Sequence, residues 1–406
     1  MGPLKGIRVL DLSRVLAGPW ASQMFADMGA DVLKVERPGA GDDTRGFGPP
    51  WIVDRETGAQ VDAAYYASAN RGKRSITLDF TTPSGQRIAQ RLAAACDIVL
   101  ENYKVGALAR FGLDYAAVRK LNPRVIYCSI TGFGQTGPYR NRPGYDFLIQ
   151  GMGGLMSVTG ERDDRPGGGP QRAGVALADI TTGMYAANAV LAALYHRERT
   201  GEGQAIDLAL LDAQVSVLVN QGMNWLIGGT VPVRSGNGHP NIVPYQAFAT
   251  ADGHIILAVG NDEQFRRFCE AAGCAHIAAD PRYLTIAERN AHRDTLIPAL
   301  AEVLRQRSSR DWVERLEAAQ VPCGPINTIK DVFEDPQVIA RGMRLDLPHP
   351  RAGTLPSIAN PIRFSGTPIE YTHAPPVLGQ HTDEVLREVL GLDDAEIEQL
   401  RRDGAL

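Results

Sequence analysis

Short β-branched segments alternate with amphipathic helical segments through the first 134 residues, and this alternation leaves few possible folds. The strand-like segments are 7–13, 30–39, 75–80, 97–103 and 124–134. The helical ones are 21–29 and 84–97, with Ser84 as a predicted N-cap. This order predicts a parallel sheet with helices on its faces. A ligand is then expected beyond the carboxyl ends of the strands.

The pattern changes after Gly203. Residues 204–229 are apolar and are expected to lead out of the first domain. Residues 230–330 form a smaller unit, in which 245–261 predicts a hairpin turned at Asp252–Gly253, followed by three helices. The tail, 331–406, begins with proline-rich extended stretches and ends in helices.

Six cations lie in or near the loops that join the predicted strands, and together they suit a polyanionic ligand. Each of them taken alone is equally compatible with an ordinary surface charge. They are Arg37, Arg71, Lys73, Arg74, Lys104 and Arg110.

Composition excludes several classes of function. A formal net charge of −4 offers no basic surface for nucleic acid. No segment has roughly 20 apolar residues free of charge, so no membrane span is expected, and the N-terminus does not resemble a signal peptide. The five cysteines are scattered without a C-x-x-C pair, which predicts reduced thiols in the cytoplasm and no metal site.

The loop after the first strand argues against a dinucleotide cofactor. Its sequence, SRVLAGP (13–19), is not the G-x-G-x-x-G that binds a pyrophosphate, so neither NAD nor FAD is expected. The chain also has no P-loop and no G-x-S-x-G nucleophile motif. No permanently bound cofactor is therefore predicted.

One carboxylate, Asp179, stands at the entrance of a long apolar helical segment within 174–210. A structural interpretation is an N-cap, in which the carboxylate accepts hydrogen bonds from unpaired backbone N–H groups. The functional interpretation is a nucleophile, because the preceding GVALA is apolar and Thr181, Thr182 and Gly183 would let a ligand approach. The residues alone leave both open.

A series of motifs resembles the class III CoA-transferases, the family named after carnitine dehydratase and bile-acid-inducible protein F, which includes formyl-CoA transferases. The motifs run nearly the full length: LKGIRVLDLSRVLAGP, GADVLKVERPGAGDDTR, NRGKRSITLDF, CDIVLENYKVGALARFGL, SITGFGQTGPY, ADITTGMYAANAVLAALYHRERTGEGQAIDLALLDA and LGQHTDEVL. Each motif alone is weak, but this order is specific to the family.

The resemblance implies an α/β subunit with a Rossmann-like parallel-sheet large domain and a smaller α+β domain, interlocked with a partner as a homodimer. The large domain corresponds to 1–200 completed by 330–406, the small domain to 228–328, and 201–227 to a linker helix. It also implies that Asp179 attacks an acyl-CoA thioester, giving a mixed anhydride and then an aspartyl-CoA thioester that a carboxylic acid discharges. Backbone N–H groups near the start of that helix would stabilise the oxyanions.

The family's ligand contacts carry over to positions of this sequence. Those implied for CoA are Val15, Leu16, Arg37, Asn70, Arg71, Gly72, Lys73, Asn102, Tyr103, Lys104, Arg110, Tyr145 and Asp146. Cations suit the phosphates of CoA. The loop Gly236, Asn237, Gly238 and His239 occupies the place of the family's acceptor loop, and Arg45 is a further candidate for the acceptor's second carboxylate.

Two alternatives belong to other classes of function. An α-methylacyl-CoA racemase would need a second base, but Tyr145 stands where the racemases carry a histidine, and tyrosine is a poor base at neutral pH. A non-catalytic acyl-CoA-binding protein would not need an intact Asp179. The acceptor loop departs from the glycine run of formyl-CoA:oxalate transferases, and 242–265 is closer to enzymes that use succinyl-CoA with dicarboxylic acids.

Overall fold

The computed structural model describes residues 2–406. Its strands are β1 (Arg8–Asp11), β2 (Asp31–Glu36), β3 (Trp51–Val53), β4 (Gln60–Ala63), β5 (Arg74–Thr77), β6 (Ile98–Glu101), β7 (Ile126–Thr131), β8 (Ala205–Ala209), β9 (Tyr245–Ala249), β10 (His254–Ala258), β11 (Cys323–Pro325), β12 (Arg344–His349) and β13 (Gly353–Ile358). Its helices are α1 (Ala17–Asp27), α2 (Ala64–Ala67), α3 (Pro83–Ala94), α4 (Tyr115–Leu121), α5 (Asp146–Met152), α6 (Leu155–Val158), α7 (Leu177–Thr200), α8 (Leu210–Ser216), α9 (Val219–Gly228), α10 (Asp262–Ala271), α11 (Ala275–Ala278), α12 (Ile286–Ala291), α13 (Arg293–Leu304), α14 (Ser309–Ala318), α15 (Ile329–Glu334), α16 (Pro336–Ala340), α17 (Thr382–Leu390) and α18 (Asp394–Arg402).

These elements form two units. The first unit contains the chain up to Leu155, with Ala173–Gly222 and Pro336–Leu406, and the second contains Met156–Arg172 with Met223–Asp335. Two boundaries differ from those predicted. The short stretch 156–172 belongs to the second unit, and the expected linker helix 201–227 begins with β8 and α8 of the first.

A six-stranded sheet in the order β5-β2-β1-β6-β7-β8 forms the centre of the first unit, and all its neighbouring strands are parallel. Alternate side chains enter opposite cores. Val9 of β1 lies in one apolar cluster with Val32 of β2, whereas Leu10 lies in the other with Leu33. Burial on both faces is typical of parallel sheets, and the α/β prediction is confirmed.

Helices from distant parts of the chain cover the two faces of this sheet. One core includes residues of α1, α5 and α7, and the other includes residues of α3, α17 and α18. Leu386 and Leu400, from the C-terminal tail, are buried in the second of these cores. The tail therefore completes the first unit.

Helix α7 is, among the described residues, the one helix long and apolar enough to cross a membrane by length and composition. The charge-free part of this helix lies between Asp179 and Arg197, so it is shorter than the roughly 20 residues that a membrane span needs. The helix packs against α1, α5, α8 and β7. Near its end, Arg197 is buried and pairs with Asp97 at 2.9 Å. These contacts are those of a core helix.

The second unit is built on an antiparallel sheet of β11-β10-β9. Strands β9 and β10 form the predicted hairpin, in which the N–H of Thr250 donates to the carbonyl of Gly253 at 2.9 Å. Helices α10 to α14 supply most of the remaining core, including the fully buried Trp312. Elsewhere, α3 begins at Pro83 with Thr82 as its N-cap, so the prediction of Ser84 at this position was wrong.

Candidate active site

A cavity of about 340 Å³ opens at the carboxyl ends of the parallel strands in the first unit. Its walls come from the segments that follow β1 and β6, from the end of β7 and from the start of α8. The predicted site residues in its lining are Val15, Leu16, Asn102, Tyr103, Lys104, Tyr145 and Asp179. The expected strand-end location is thus where the structure brings seven of them together.

A second cavity, of about 210 Å³, borders the first and shares Arg14, Asp43, Tyr103 and Ala107 with it. The predicted residues Arg37 and Arg110 line it. Phe80 packs edge to face on Tyr103 and Phe111, with ring centroids 6.0 and 5.3 Å apart. The two cavities together form a groove with an aromatic, cationic end and an end that holds Asp179.

Asp179 is the third residue of α7 and does not cap it. The N-cap position is Ala176, which makes no side-chain cap bond, so the N-cap interpretation was wrong. Gly183 was expected to admit a ligand, but a Cβ there would lie 2.6 Å from the carbonyl oxygen of Ala17. This glycine lets α1 and α7 pack closely instead.

The residue that binds the start of α7 is Asp146. Its Oδ1 accepts hydrogen bonds from the N–H groups of Ala178 at 2.9 Å and Asp179 at 3.3 Å, and its Oδ2 accepts from Gln150 at 2.7 Å. Asp146, which was predicted to contact CoA, does not line either cavity. It also occupies N–H groups that were expected to stabilise oxyanions.

The carboxylate of Asp179 is half-buried, and no described residue donates a hydrogen bond to it. Burial, with a smaller contribution from the negative charge of Asp146, raises the pKa of Asp179 to about 7. A carboxylate with its lone pairs unoccupied and a raised pKa is more basic than an ordinary aspartate. It is therefore suited to act as a nucleophile.

The loop after β1 forms part of the cavity wall next to Asn102. Val15 has a φ of 71°, a left-handed conformation that is costly for a β-branched residue. Its N–H donates to Oδ1 of Asp42 at 3.3 Å. Asn102 accepts from the N–H of Arg14 at 2.9 Å and donates to the Arg14 carbonyl at 2.7 Å. Asn102 thus fixes this loop as well as lining the cavity.

Besides Asp146, four residues predicted to contact CoA lie outside both cavities: Asn70, Arg71, Gly72 and Lys73. Arg71 is buried and pairs with Asp27 at 2.6 Å. Lys73 is fully buried and donates to Asp11 at 3.1 Å and to Oδ1 of Asn70 at 2.8 Å. The structure thus does not bring this loop into either cavity, and its two cationic side chains are bound within the chain.

Gly72 and Arg45 also have structural roles. Gly72, at a φ of 73°, donates its N–H to the carbonyl of His373 at 3.0 Å. Arg45 is buried between Glu36 at 2.7 Å and Asp62 at 2.9 Å, with its guanidinium over the ring of Tyr66. All of this occupies its donors, and Arg45 does not line the cavity that holds Asp179.

Sequence reasoning missed three cations in the cavity with Asp179: Arg14, Arg140 and Arg142. Arg14 pairs with Asp43 at 3.1 Å and lies over the ring of Tyr103. A usable signal was present, because Arg14 follows the first strand, and Arg140 and Arg142 follow the last of the five predicted strands. Strand-end position alone would have included them.

The predicted acceptor loop lies in the second unit, where Gly236, Asn237 and Gly238 line a polar cavity of about 650 Å³. His239 accepts hydrogen bonds at Nδ1 from the N–H groups of Asn241 and Ile242, both at 3.0 Å. Burial and the nearby Arg293 lower the pKa of His239. Its ring is therefore neutral at pH 7 and presents Nε2–H as a donor.

Residues 2–406 contain no cluster of three or more histidine, cysteine, aspartate or glutamate side chains that could hold a metal ion. The five cysteines are free thiols.

Known proteins resemble this chain over nearly its whole length. A succinate–glutarate CoA-transferase from Agrobacterium fabrum is 53% identical over 387 residues, which are 95% of this chain and 96% of that protein. A succinyl-CoA:glutarate CoA-transferase from Mus musculus is 42% identical over 406 residues, 100% of this chain and 91% of that protein.

The fold gives the same result. The crystal structure of a CaiB/BaiF family protein from Brucella suis superposes with a TM-score of 0.84 at 48% identity, covering 96% of this chain and 99% of that one. The sequence model of CoA-transferase family III matches residues 4–382. The chain therefore belongs to CoA-transferase family III, the class III CoA-transferases, as its motifs predicted.

Proposed function

We propose that this protein moves CoA from succinyl-CoA to a dicarboxylic acid, with glutarate as the first candidate acceptor, through covalent intermediates on Asp179. The observation that carries the proposal is the Asp179 carboxylate, which faces the strand-end cavity without a hydrogen-bond donor and has a pKa of about 7. The names of the relatives from Agrobacterium fabrum and Mus musculus support this donor and acceptor.

The first half-reaction transfers CoA to the enzyme. A carboxylate oxygen of Asp179 attacks the thioester carbon of succinyl-CoA, a C–O bond forms, and the C–S bond breaks to release CoA thiolate. The thiolate then attacks the aspartyl carbonyl of the mixed anhydride, and succinate leaves as a carboxylate. The product is an aspartyl-CoA thioester, and no proton is gained or lost.

The second half-reaction is the same sequence in reverse. A carboxylate of glutarate attacks the aspartyl thioester and expels the thiolate, which attacks the glutaryl carbon of the new anhydride. Glutaryl-CoA leaves and Asp179 regains its carboxylate. The net reaction exchanges one CoA thioester for another, so its overall free-energy change is small.

The groove supplies the binding groups for CoA. We assign the nucleotide end to the smaller cavity, where Arg37 and Arg110 would meet phosphates, and the thioester end to the cavity that holds Asp179. Among the described residues no acceptor takes the N–H groups of Leu16 and Ala17, at the start of α1. They are the candidate oxyanion donors, since those of α7 are bound to Asp146.

The remaining assignments are that the enzyme is a homodimer with interlocked subunits and that it works in the cytoplasm. Large apolar side chains on α9 are exposed, including Leu226 at 74% and Ile227 at 80%, and a dimer interface would cover such a surface. We assign binding of the acceptor acid to the loop 236–239, which carries no charged residue. Light scattering of the purified protein tests the dimer.

Intact-mass measurement after mixing with succinyl-CoA tests the proposed mechanism. Wild-type protein should gain a CoA adduct that glutarate discharges, whereas Asp179→Asn should gain none and lose at least about 10⁴-fold in turnover. Asp212→Asn is the matched control, because Asp212 is also the third residue of its helix, α8. It should behave as wild type.

Two outcomes would contradict the proposal. Adduct formation by Asp179→Asn would place the nucleophile elsewhere. Absence of an adduct and of transfer in the wild type, together with exchange of the α-proton of a 2-methylacyl-CoA in D₂O, would favour the racemase. Tyr145 lines the cavity where the racemase would need its second base.

A further inference from the structure

The proposed function requires a group in the cavity that binds a second carboxylate, and Asp179 cannot supply it. Succinyl-CoA and glutarate each carry a second carboxylate, distant from the carbon that reacts. The two acids occupy the same position on Asp179 in successive half-reactions, so one cationic group can serve both. This inference rests on the proposed function and asks which residue that group is.

The cavity that contains Asp179 is lined by four cations: Arg14, Lys104, Arg140 and Arg142. Arg14 is paired with Asp43 and lies where the two cavities meet, toward the nucleotide end. Lys104 belongs to the segment after β6, next to Tyr103, which is also shared by both cavities. The segment 140–145 supplies the remaining two, Arg140 and Arg142.

Arg142 differs from Arg140 in how it is held. Its guanidinium lies 4.5 Å from the ring centroid of Tyr139 and 5.4 Å from that of Phe133. These two rings stand at 75° to each other, and contact with both holds the guanidinium in place, while no described residue accepts a hydrogen bond from its N–H groups. No carboxylate among the described residues lies within ion-pair distance of it. A charge oriented in this way, and left uncompensated, suits a carboxylate ligand.

The segment that carries Arg142 is fixed relative to the nucleophile. Gly144 packs on Gly132 so closely that a Cβ at Gly132 would lie 2.6 Å from the Gly144 Cα. Two residues later, Asp146 accepts the hydrogen bonds from the N–H groups of Ala178 and Asp179. One short segment therefore joins the guanidinium to the first turn of the helix that bears the nucleophile.

We propose that Arg142 binds the distal carboxylate of both the acyl donor and the acceptor acid, and that it makes the enzyme select dicarboxylates over monocarboxylates. It is a specificity-determining residue, and the bond-making steps do not pass through it.

The experiment compares glutarate with pentanoate, which has the same chain length and lacks the distal carboxylate. For each protein, kcat/KM is measured for both acceptors with succinyl-CoA as donor. Arg142→Gln should lower the glutarate-to-pentanoate ratio about 10- to 100-fold, through loss of glutarate activity with pentanoate unchanged. Arg142→Lys, which keeps the charge, should restore part of the ratio.

Arg140→Gln is the matched control, since it removes a guanidinium from the same segment of the same cavity. It should leave the ratio at the wild-type value. An unchanged ratio in Arg142→Gln, or an equal fall in Arg140→Gln, would overturn the assignment of Arg142 while wild-type transfer upholds the proposed function. A wild type that transfers no CoA from succinyl-CoA would overturn both.

Discussion

Charged side chains of the first unit form two groups that differ in how they are compensated. Beneath the cavities, fully buried Lys34 and Lys73 pair with Asp42 at 2.8 Å and Asp11 at 3.1 Å. Apart from Arg14, which pairs with Asp43, the exposed cations of the cavities, for example Arg110, have no carboxylate partner among the described residues. Asp179 likewise has no cationic partner. Identical residue types therefore hold the fold in one place and await a ligand in the other.

The difference has a physical basis. A buried charge is tolerated only when a partner offsets its lost hydration, so the charges beneath the cavities have to be neutralised within the chain. At the open ends of the strands water hydrates an unpaired charge, and a ligand of opposite sign can replace that water. Unpaired charges at the rim and paired ones beneath it are the arrangement expected of a site for an anionic substrate.

The largest expected effect is a loss of folding stability in Lys73→Met. It removes the partner of Asp11, which is fully buried and whose pKa is held low by the neighbouring lysines and by hydrogen bonds from serines, against the effect of its burial. Breaking such a pair destabilises a protein by about 3–5 kcal/mol. We expect Tm to fall by roughly 10 °C in a thermal melt.

Lys104→Met is the matched control for that experiment, because Lys104 is an exposed cation of the cavity. Its Tm should stay within about 1 °C of wild type. An equal fall in Tm in the two variants would contradict the distinction between the paired, buried cations and the unpaired cations of the cavities.

Much of this arrangement was accessible from the order of the strands. Arg37, Lys104 and Arg110 follow predicted strands, and the structure places all three in the cavities. Arg71 and Lys73 precede β5, and residues before a parallel strand start from the opposite edge of the sheet from those after it. The topology predicted from the alternation thus contained the information that separates these two sets.

Contacts between distant segments were not accessible. The hydrogen bonds from the start of α7 to Asp146 join residues more than thirty positions apart, and nothing in the periodicity of either segment indicates the pair. The same holds for Arg45, whose partners Glu36 and Asp62 belong to different strands. Whether a charge is paired depends on tertiary structure, so the sequence could name candidate charges but could not tell which of them were already neutralised.

The pH dependence of transfer should show the unpaired carboxylate directly. Asp179 reacts as the anion, and its pKa is about 7, so kcat/KM should rise with pH and level off above it. Below that value the rate should fall about tenfold for each pH unit, reaching roughly a hundredfold loss at pH 5. Because the folded-state pKa exceeds the ordinary value, Asp179 also lowers folding stability as pH rises from about 4 to 7.

Asp146→Asn tests whether the fall in kcat/KM at low pH comes from protonation of Asp179 or from protonation of a substrate. The amide oxygen can still accept the hydrogen bonds from α7, while the negative charge that raises the pKa of Asp179 is gone. The acidic limb of the profile should therefore move to lower pH, whereas a limb set by the phosphate of CoA or by the acid would stay in place.

The smallest effect is expected from Arg110→Gln, at the aromatic end of the groove. Arg110 lies over the ring of Phe111 at 4.5 Å, and its assigned role is to bind a phosphate in substrate and transition state alike. Its loss should therefore raise KM for succinyl-CoA about tenfold while kcat stays within about twofold. Steady-state kinetics at two salt concentrations should also show a weaker salt dependence.

Measurements with succinyl-CoA that lacks the 3′-phosphate show whether Arg110 binds that phosphate. If the guanidinium binds that phosphate, removing the phosphate and substituting Arg110 should together weaken binding no more than either change alone. Additive effects would place Arg110 against another part of the nucleotide. Arg119→Gln is the control, since Arg119 also lies over an aromatic ring, that of Tyr115, but outside both cavities, and its KM should equal the wild-type value. A tenfold rise there would mean that general surface charge, and not the unpaired cations of the groove, attracts the substrate.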